Sequence, residues 1–148
     1  MITIINGNII DAKEQIIAHQ VNCKGVMGRG VAKAIKDKYP NVYEEYCKYC
    51  LSESNSKNLL GSVQYVILPK EKKIIANLFA QDEYGYNKTY TNYDYLEMCF
   101  YSLARKCRAP IAIPYKIGCG LGGGDWDIVY PMIKKIFKDR EVILYKYQ

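Results

Sequence analysis

Two glycine-rich segments are the parts of this sequence best suited to holding a ligand. The first reads Val21-Asn22-Cys23-Lys24-Gly25-Val26-Met27-Gly28-Arg29-Gly30-Val31-Ala32, with glycines spaced Gly-x-x-Gly-x-Gly. Glycine lets backbone approach a ligand closely and adopt positive φ. A helix opening directly afterwards would offer unpaired N–H groups and its positive dipole end to a phosphate or carboxylate. A plain turn leading into a helix is the competing explanation. The spacing is neither the dinucleotide fingerprint nor a P-loop, which requires Gly-Lys-Ser/Thr. The second segment, Ile117-Gly118-Cys119-Gly120-Leu121-Gly122-Gly123-Gly124-Asp125-Trp126, carries five glycines in seven residues. Successive amides in such a stretch can form an anion-holding nest. Two such loops on one face would grip both ends of a phosphorylated small molecule.

A few side chains beside these loops could do chemistry. His19 is the only histidine. It is a candidate general acid or base, or else a packed histidine on a buried strand. Asn22 could orient a ribose hydroxyl or an attacking water, or cap its own turn. Asp125 could activate water, or cap the helix that follows it, with Asp127 in the first turn. Cys23 and Cys119 border the loops, but without a second histidine a thiolate mechanism is disfavoured. Cys47-x-x-Cys50 lacks the second pair that a zinc site needs, so no metal and no cofactor is expected. The polar, aromatic stretch from Gln81 to Tyr90 follows a strand and reads as a loop near the site, either covering it or forming plain surface.

The elements that must position these groups are strands alternating with helices. Nearly continuous apolar runs predict strands at Ile2–Ile5, Ile16–Val21, Val63–Leu68, Lys73–Ala80, Ile111–Tyr115 and Val142–Tyr147, buried on both faces. Val31, Ile35 and Tyr39 repeat at helical spacing, and Pro40 closes that helix. A short helix fits Val42–Leu51. Leu96, Cys99, Leu103 and Cys107 form another stripe, and Val129, Met132, Ile133, Ile136 and Phe137 the clearest. Pro131 falls inside that last stripe, so the helix should start or bend there. Ser52–Asn58 reads as a loop. The pattern predicts an α/β fold, a three-layer α/β/α sandwich on a mixed, mostly parallel six-stranded sheet. Ligands of such sheets lie beyond the carboxyl ends of the strands, which is where both glycine segments fall.

Composition narrows the rest. The 148 residues fit one domain, and 49% are apolar and 24% charged, ordinary for a globular chain. A formal charge of +6 favours anionic partners, but the lysines are scattered, which disfavours a plain nucleic-acid binder. The N-terminus lacks a basic region and cleavage site, and no apolar run is long enough to span a bilayer. The six cysteines therefore read as reduced thiols of a cytoplasmic, monomeric protein without a membrane partner.

The sequence resembles the macro domain family along nearly its whole length, with residues 1–148 as one domain. The resemblance rests on Asn6-Gly7-Asn8-Ile9, on His19-Gln20-Val21-Asn22-Cys23 running into the first glycine loop, on Leu60-Gly61 and Asn77-Leu78-Phe79, and on Ile113-Pro114 through Gly123. It implies ADP-ribose or an ADP-ribosylated molecule as ligand, with nucleic acid involved only as a modified substrate. The first loop (Val21, Cys23, Gly25, Met27, Gly28, Gly30, Val31) would wrap the distal ribose. The second (Gly118, Cys119, Gly120, Leu121, Gly122, Gly123) would support the diphosphate. Gly7, Asn8 and Ile9 would lie near the adenine, with Asn8 where an acidic residue is usual, and Tyr145 would pack on the base. The nearest branch contains ADP-ribose 1″-phosphate phosphatases and hydrolases that remove ADP-ribose from glutamate or DNA. Gln81 and Gly122 stand near the lysine and acidic residue used by two of those enzymes, which disfavours the lysine route. His19 matches a histidine of the phosphatase-like members. The implied activity is hydrolysis of an ADP-ribose derivative, and the alternative is a non-catalytic ADP-ribose reader.

Overall fold

A computed structural model describes residues 1–147. Six strands, β1 (Ile2–Asn6), β2 (Ile16–Val21), β3 (Val63–Leu68), β4 (Lys73–Phe79), β5 (Ile111–Pro114) and β6 (Val142–Lys146), form one sheet in the order β1-β6-β5-β2-β4-β3. All neighbours pair in parallel except the edge strand β3, which runs antiparallel to β4. The predicted class and strand positions stand, each strand ending within a residue or so of its expected bound.

Side-chain alternation divides the core into two layers. On one face, Ile16 and Ala18 of β2 and Ile111 and Ile113 of β5 pack under helices α3 (Tyr93–Lys106) and α4 (Trp126–Ile136). On the other, Ile17, Ile75, Ala112 and Phe79 lie beneath α1 (Gly30–Lys38) and α2 (Pro40–Leu51). Burial on both faces holds for β2 and for most of β4, β5 and β6 but fails for the two edge strands, β1 with Ile4 and Ile5 exposed and β3 with Ile67 exposed.

The helix boundaries follow local chemistry. Tyr39 joins α1 to α2, and Pro40 opens α2, a position where a missing N–H costs nothing. Asn92 and Asp125 cap α3 and α4 by accepting from Tyr95 N and Asp127 N. Pro131 neither starts α4 nor ends it. It sits five residues inside, where it removes only the donor to the Asp127 carbonyl in the first, exposed turn. The Ser52–Asn58 stretch is partly ordered as a 3-10 turn over Ser56–Leu59, capped by Asn55. No helix among the described residues is long and apolar enough to cross a membrane.

The contact between α3 and α4 closes one layer. Phe137 is fully buried and meets Phe100 edge-on at 5.5 Å between ring centroids. Phe137→Ala should lower unfolding free energy by about 3–5 kcal/mol, read as a shifted midpoint in urea denaturation.

Candidate functional site

The carboxyl ends of β2, β4 and β5 open onto a cavity of about 500 Å³, within the size range of small-molecule sites. Both glycine loops line it. Gly28, Gly30 and Val31 come from the first, and Gly118, Gly120, Leu121 and Gly122 from the second. Unlike α3 and α4, α1 has no side-chain cap: Arg29 stands at that position in extended backbone and makes no capping bond. Among the described residues, no internal acceptor meets the amides of Gly30, Val31 and Ala32, nor those of Gly120, Leu121 and Gly122. Three free N–H groups from each loop thus border one cavity, the arrangement that holds an anion at a helix start and in a nest.

Packing fixes the second loop more than its glycine content suggested. Gln20 donates from Nε2 to Gln81 Oε1 (2.7 Å) and Thr91 Oγ1 (2.8 Å), and the Thr91 hydroxyl donates to Gly118 O (2.7 Å). A Cβ on Gly122 would lie 2.5 Å from Thr91 Oγ1 and 2.7 Å from Gly118 O. One on Gly123 would strike the Lys88 carbonyl at 2.6 Å. Gly120 alone of these faces open space. The loop needs glycine at Gly122 and Gly123 to lie on its neighbours, and at Gly120 its bare backbone faces the cavity.

Helix α2 braces the first loop from behind. The Tyr46 hydroxyl reaches Asn22 O (2.7 Å) and Oδ1 (2.8 Å), the Tyr43 hydroxyl donates to Gly25 O, and the Cys47 thiol leans on the same carbonyl. Asn22 Oδ1 accepts from Lys24 N at 2.9 Å while its Nδ2 donates to Val26 O at 2.8 Å. The side chain therefore shapes its own turn, and one Nδ2 hydrogen remains uncommitted at the cavity wall.

His19 also borders the cavity but is 1% exposed. It belongs to a polar row across three strands. Gln64 Nε2 donates to Glu45 O, Asn77 Nδ2 donates to Gln64 Oε1, and Asn77 Oδ1 lies 2.6 Å from His19 Nε2. This order of donors makes Nε2 the protonated nitrogen. Nδ1 is buried without a partner. Burial, partly offset by the Asn77 bond, holds the imidazole pKa down to about 4, so the ring is neutral near pH 7 and a poor proton donor.

Several expected site residues lie elsewhere. Asp125 is an N-cap and does not line the cavity. Cys23 and Met27 point into the core at 1% and 2% exposure, and burial pushes the Cys23 thiol up to about 12 and the Cys119 thiol up to about 11. Cys119, Gly25 and Gly123 stand behind the lining residues, while Val21 contributes to it. At the first strand, Asn8 caps a 3-10 turn by accepting from Ile10 N, Ile9 is buried, and Gly7 backs onto the Tyr145 ring. Tyr145 is itself core, its hydroxyl committed to the Glu14 carboxylate. Its ring offers no open face for a base to stack on, contrary to expectation.

Other lining residues carried no role of their own in the sequence. Gln20 sits on a strand like any half-buried polar residue, and Arg29 reads as filler between two glycines. Lys116 takes φ +60 at the cavity wall, a conformation uncommon outside glycine. Tyr84, Gly85 and Tyr86 place the Gln81–Tyr90 segment at the rim. Arg29 and Lys116 are the cations lining the cavity, and among the described residues that line it there is no carboxylate.

His19 makes stability depend on pH on the acid side of neutrality. Its folded pKa of about 4 lies below the unfolded 6.5, so the unfolded chain binds the extra proton and stability falls as pH drops below 6.5. The loss should reach about 2 kcal/mol at pH 5, and His19→Gln should flatten the slope between pH 7 and 5.5 in denaturant titrations.

The macro domain family model matches residues 18–133. A DNA ADP-ribosyl glycohydrolase of Mycobacterium tuberculosis is 28% identical over 98% of this chain and 42% of its own length. An ADP-ribose 1″-phosphate phosphatase of Candida albicans is 29% identical over 86% of this chain and 88% of its own. Among solved structures, the macrodomain of Mycobacterium tuberculosis DarG superposes with a TM-score of 0.82 at 26% identity, covering 98% and 97% of the two chains. Thermosipho africanus DarTG in complex with ADP-ribose shares the fold, with a TM-score of 0.81 at 20% identity over 97% of this chain and 41% of that one. The chain spans about two fifths of the length of the mycobacterial glycohydrolases it matches. With the matched region covering most of its length, the chain belongs to the macro domain family.

Proposed function

We propose that the cavity binds ADP-ribose and that the protein hydrolyses a bond at the distal ribose of an ADP-ribose derivative. The observation that carries this reading is that six amides without an internal acceptor, three from each glycine loop, belong to residues lining one cavity with two cations and no carboxylate among its described lining. Such a site favours a diphosphate flanked by uncharged groups. Relatives named as a phosphatase and as a glycohydrolase support the hydrolytic half.

The chemistry open to this site is positioning and amide stabilisation of charge. The amides of the second loop hold the diphosphate. Asn22, fixed by Tyr46 and its own turn, directs its remaining N–H toward the distal ribose. His19 supplies a neutral wall, and its Asn77 bond holds the end of β2 in register. Asp125, committed to its helix, takes no part. A reader that binds and releases ADP-ribose unchanged is the rival, and the depressed basicity of His19 is what favours it.

Calorimetric titration with ADP-ribose, followed by assays of phosphate release from ADP-ribose 1″-phosphate and of ADP-ribose release from conjugates, separates the readings. Hydrolysis of at least one substrate is expected. Binding without turnover of any would leave the reader. Gly122→Ala should weaken ADP-ribose binding by about tenfold or more, since relieving a 2.5 Å contact with Thr91 must move the loop. Gly120→Ala, with nothing within 4 Å of its Cβ, should fold with unchanged thermal stability.

A further inference from the structure

Many of the cations that lie scattered along the sequence are gathered by the fold at one end of the molecule. This end holds the amino ends of the parallel strands, opposite the cavity, together with the hairpin that joins β3 to β4. Lys70 and Lys72 stand exposed on that hairpin, and Arg105, Lys106 and Arg108 at the end of α3 and in the loop to β5. Lys134, Lys135 and Lys138 are exposed at the end of α4 and in the loop to β6. Against these eight exposed cations the same segments expose three carboxylates, Glu71, Asp139 and Glu141. The surplus nearly equals the +6 of the whole chain.

Side-chain contacts join the cations into one band. The Lys106 ammonium lies 5.5 Å from the centre of the Tyr65 ring on β3. Arg140 Nε donates to Ala104 O at 3.1 Å, tying the loop between α4 and β6 to α3. The band thus crosses from β3 to β6, four strand spacings or roughly 20 Å. None of its cations is among the lysines that pair with a carboxylate in the described residues, which are Lys24, Lys33, Lys38, Lys48 and Lys57. Helix dipoles account for the cations in the last turns of α3 and α4, but not for Lys70 and Lys72. Between Tyr65 and the hairpin, Ile67 is 65% exposed.

We propose that this end docks on an anionic lipid bilayer, its lysines among the headgroups and Ile67 beneath them, with the cavity facing away from the membrane. Unpaired cations at this density are drawn to acidic headgroups, each adding an attraction that salt screens. A nucleic-acid backbone would also meet the cations, but it offers an isoleucine nothing. A bilayer takes both: the ammonium groups stay at the interface and the apolar side chain leaves water. No spanning helix is required, and the cavity stays open to the aqueous side.

The test is co-sedimentation with vesicles of phosphatidylcholine containing about one third phosphatidylserine, at about 0.1 M salt. The protein should pellet with these vesicles and stay in solution with phosphatidylcholine alone. Its partitioning should fall about tenfold or more at about 0.5 M salt. Lys70→Glu with Arg108→Glu should weaken partitioning at least about tenfold, and Lys135→Glu with Lys138→Glu, farther along the band, should repeat the loss. Lys33→Glu with Lys88→Glu changes the net charge equally on other exposed faces and should cost less than about threefold. Ile67→Ser should weaken partitioning about threefold or more, and thermal melting confirms that each variant is folded. Equal binding to neutral vesicles, no binding to the acidic ones, or an unaffected Ile67→Ser overturns the docking face. So does a loss in the Lys33 and Lys88 variant as large as in the other two. A DNA duplex that strips the protein from the vesicles at phosphate concentrations below that of the acidic lipid would assign the band to nucleic acid instead.

Discussion

The Thr91 side chain lies against the turn from Gly118 to Gly124 with no room for a Cβ between them, and much of the site depends on that contact. Through it, the loop after β5 rests on the segment that follows β4, and Gln20 of β2 bonds to the same hydroxyl. Three strand ends are thereby tied to one threonine. Gly120, Leu121 and Gly122 line the cavity with amides that have no internal acceptor, while the next two amides are occupied: Gly123 N bonds back to Gly120 O and Gly124 N to Gly118 O. A loop of five glycines would otherwise carry a large entropic cost on ordering. Here most of them are pinned by close packing before any ligand arrives, so the anion site is pre-formed.

The first loop is braced differently. Its support is a helix, α2, whose Tyr43, Tyr46 and Cys47 reach the carbonyls of Asn22 and Gly25. Asn22 then folds the turn onto itself. Behind it runs the polar row Gln64–Asn77–His19, in register across β3, β4 and β2, with Asn77 and His19 buried and Gln64 half-buried. Buried polar groups are tolerable when their bonds are made, and in this row the main exception is His19 Nδ1. The unpartnered nitrogen sits beside the ligand cavity, and the low basicity of the ring keeps it neutral there. The same burial that makes His19 a weak base makes it a rigid wall.

The strands and the two loops were legible because their signals are local: apolar runs, helical spacing and glycine clusters. The placement of both loops on one cavity follows from strand order, since β2 and β5 are neighbours in a parallel sheet and both end on the same side. Side-chain roles were not legible in the same way. Whether Asn22 meets a ligand or its own turn depends on Tyr46, twenty-four residues away. Whether Tyr145 stacks on a base depends on Glu14, at the far end of the chain. Asp125 carried both a catalytic and a capping reading, and the capping bond shows only once the start of α4 is in place. Gln20, Thr91 and Lys116 carried no individual role in the sequence, because their importance lies in contacts with residues distant in sequence and, for Lys116, in a backbone angle.

An ADP-ribose titration followed by amide chemical shifts in two-dimensional NMR tests whether the free amides of the two glycine loops hold one ligand between them. The amide signals of Gly30, Val31, Ala32, Gly120, Leu121 and Gly122 should move together and saturate at one equivalent, while those of the edge strand β3 stay still. Shifts confined to one loop, or spread over surface lysines without saturation, would contradict a ligand shared by the two loops.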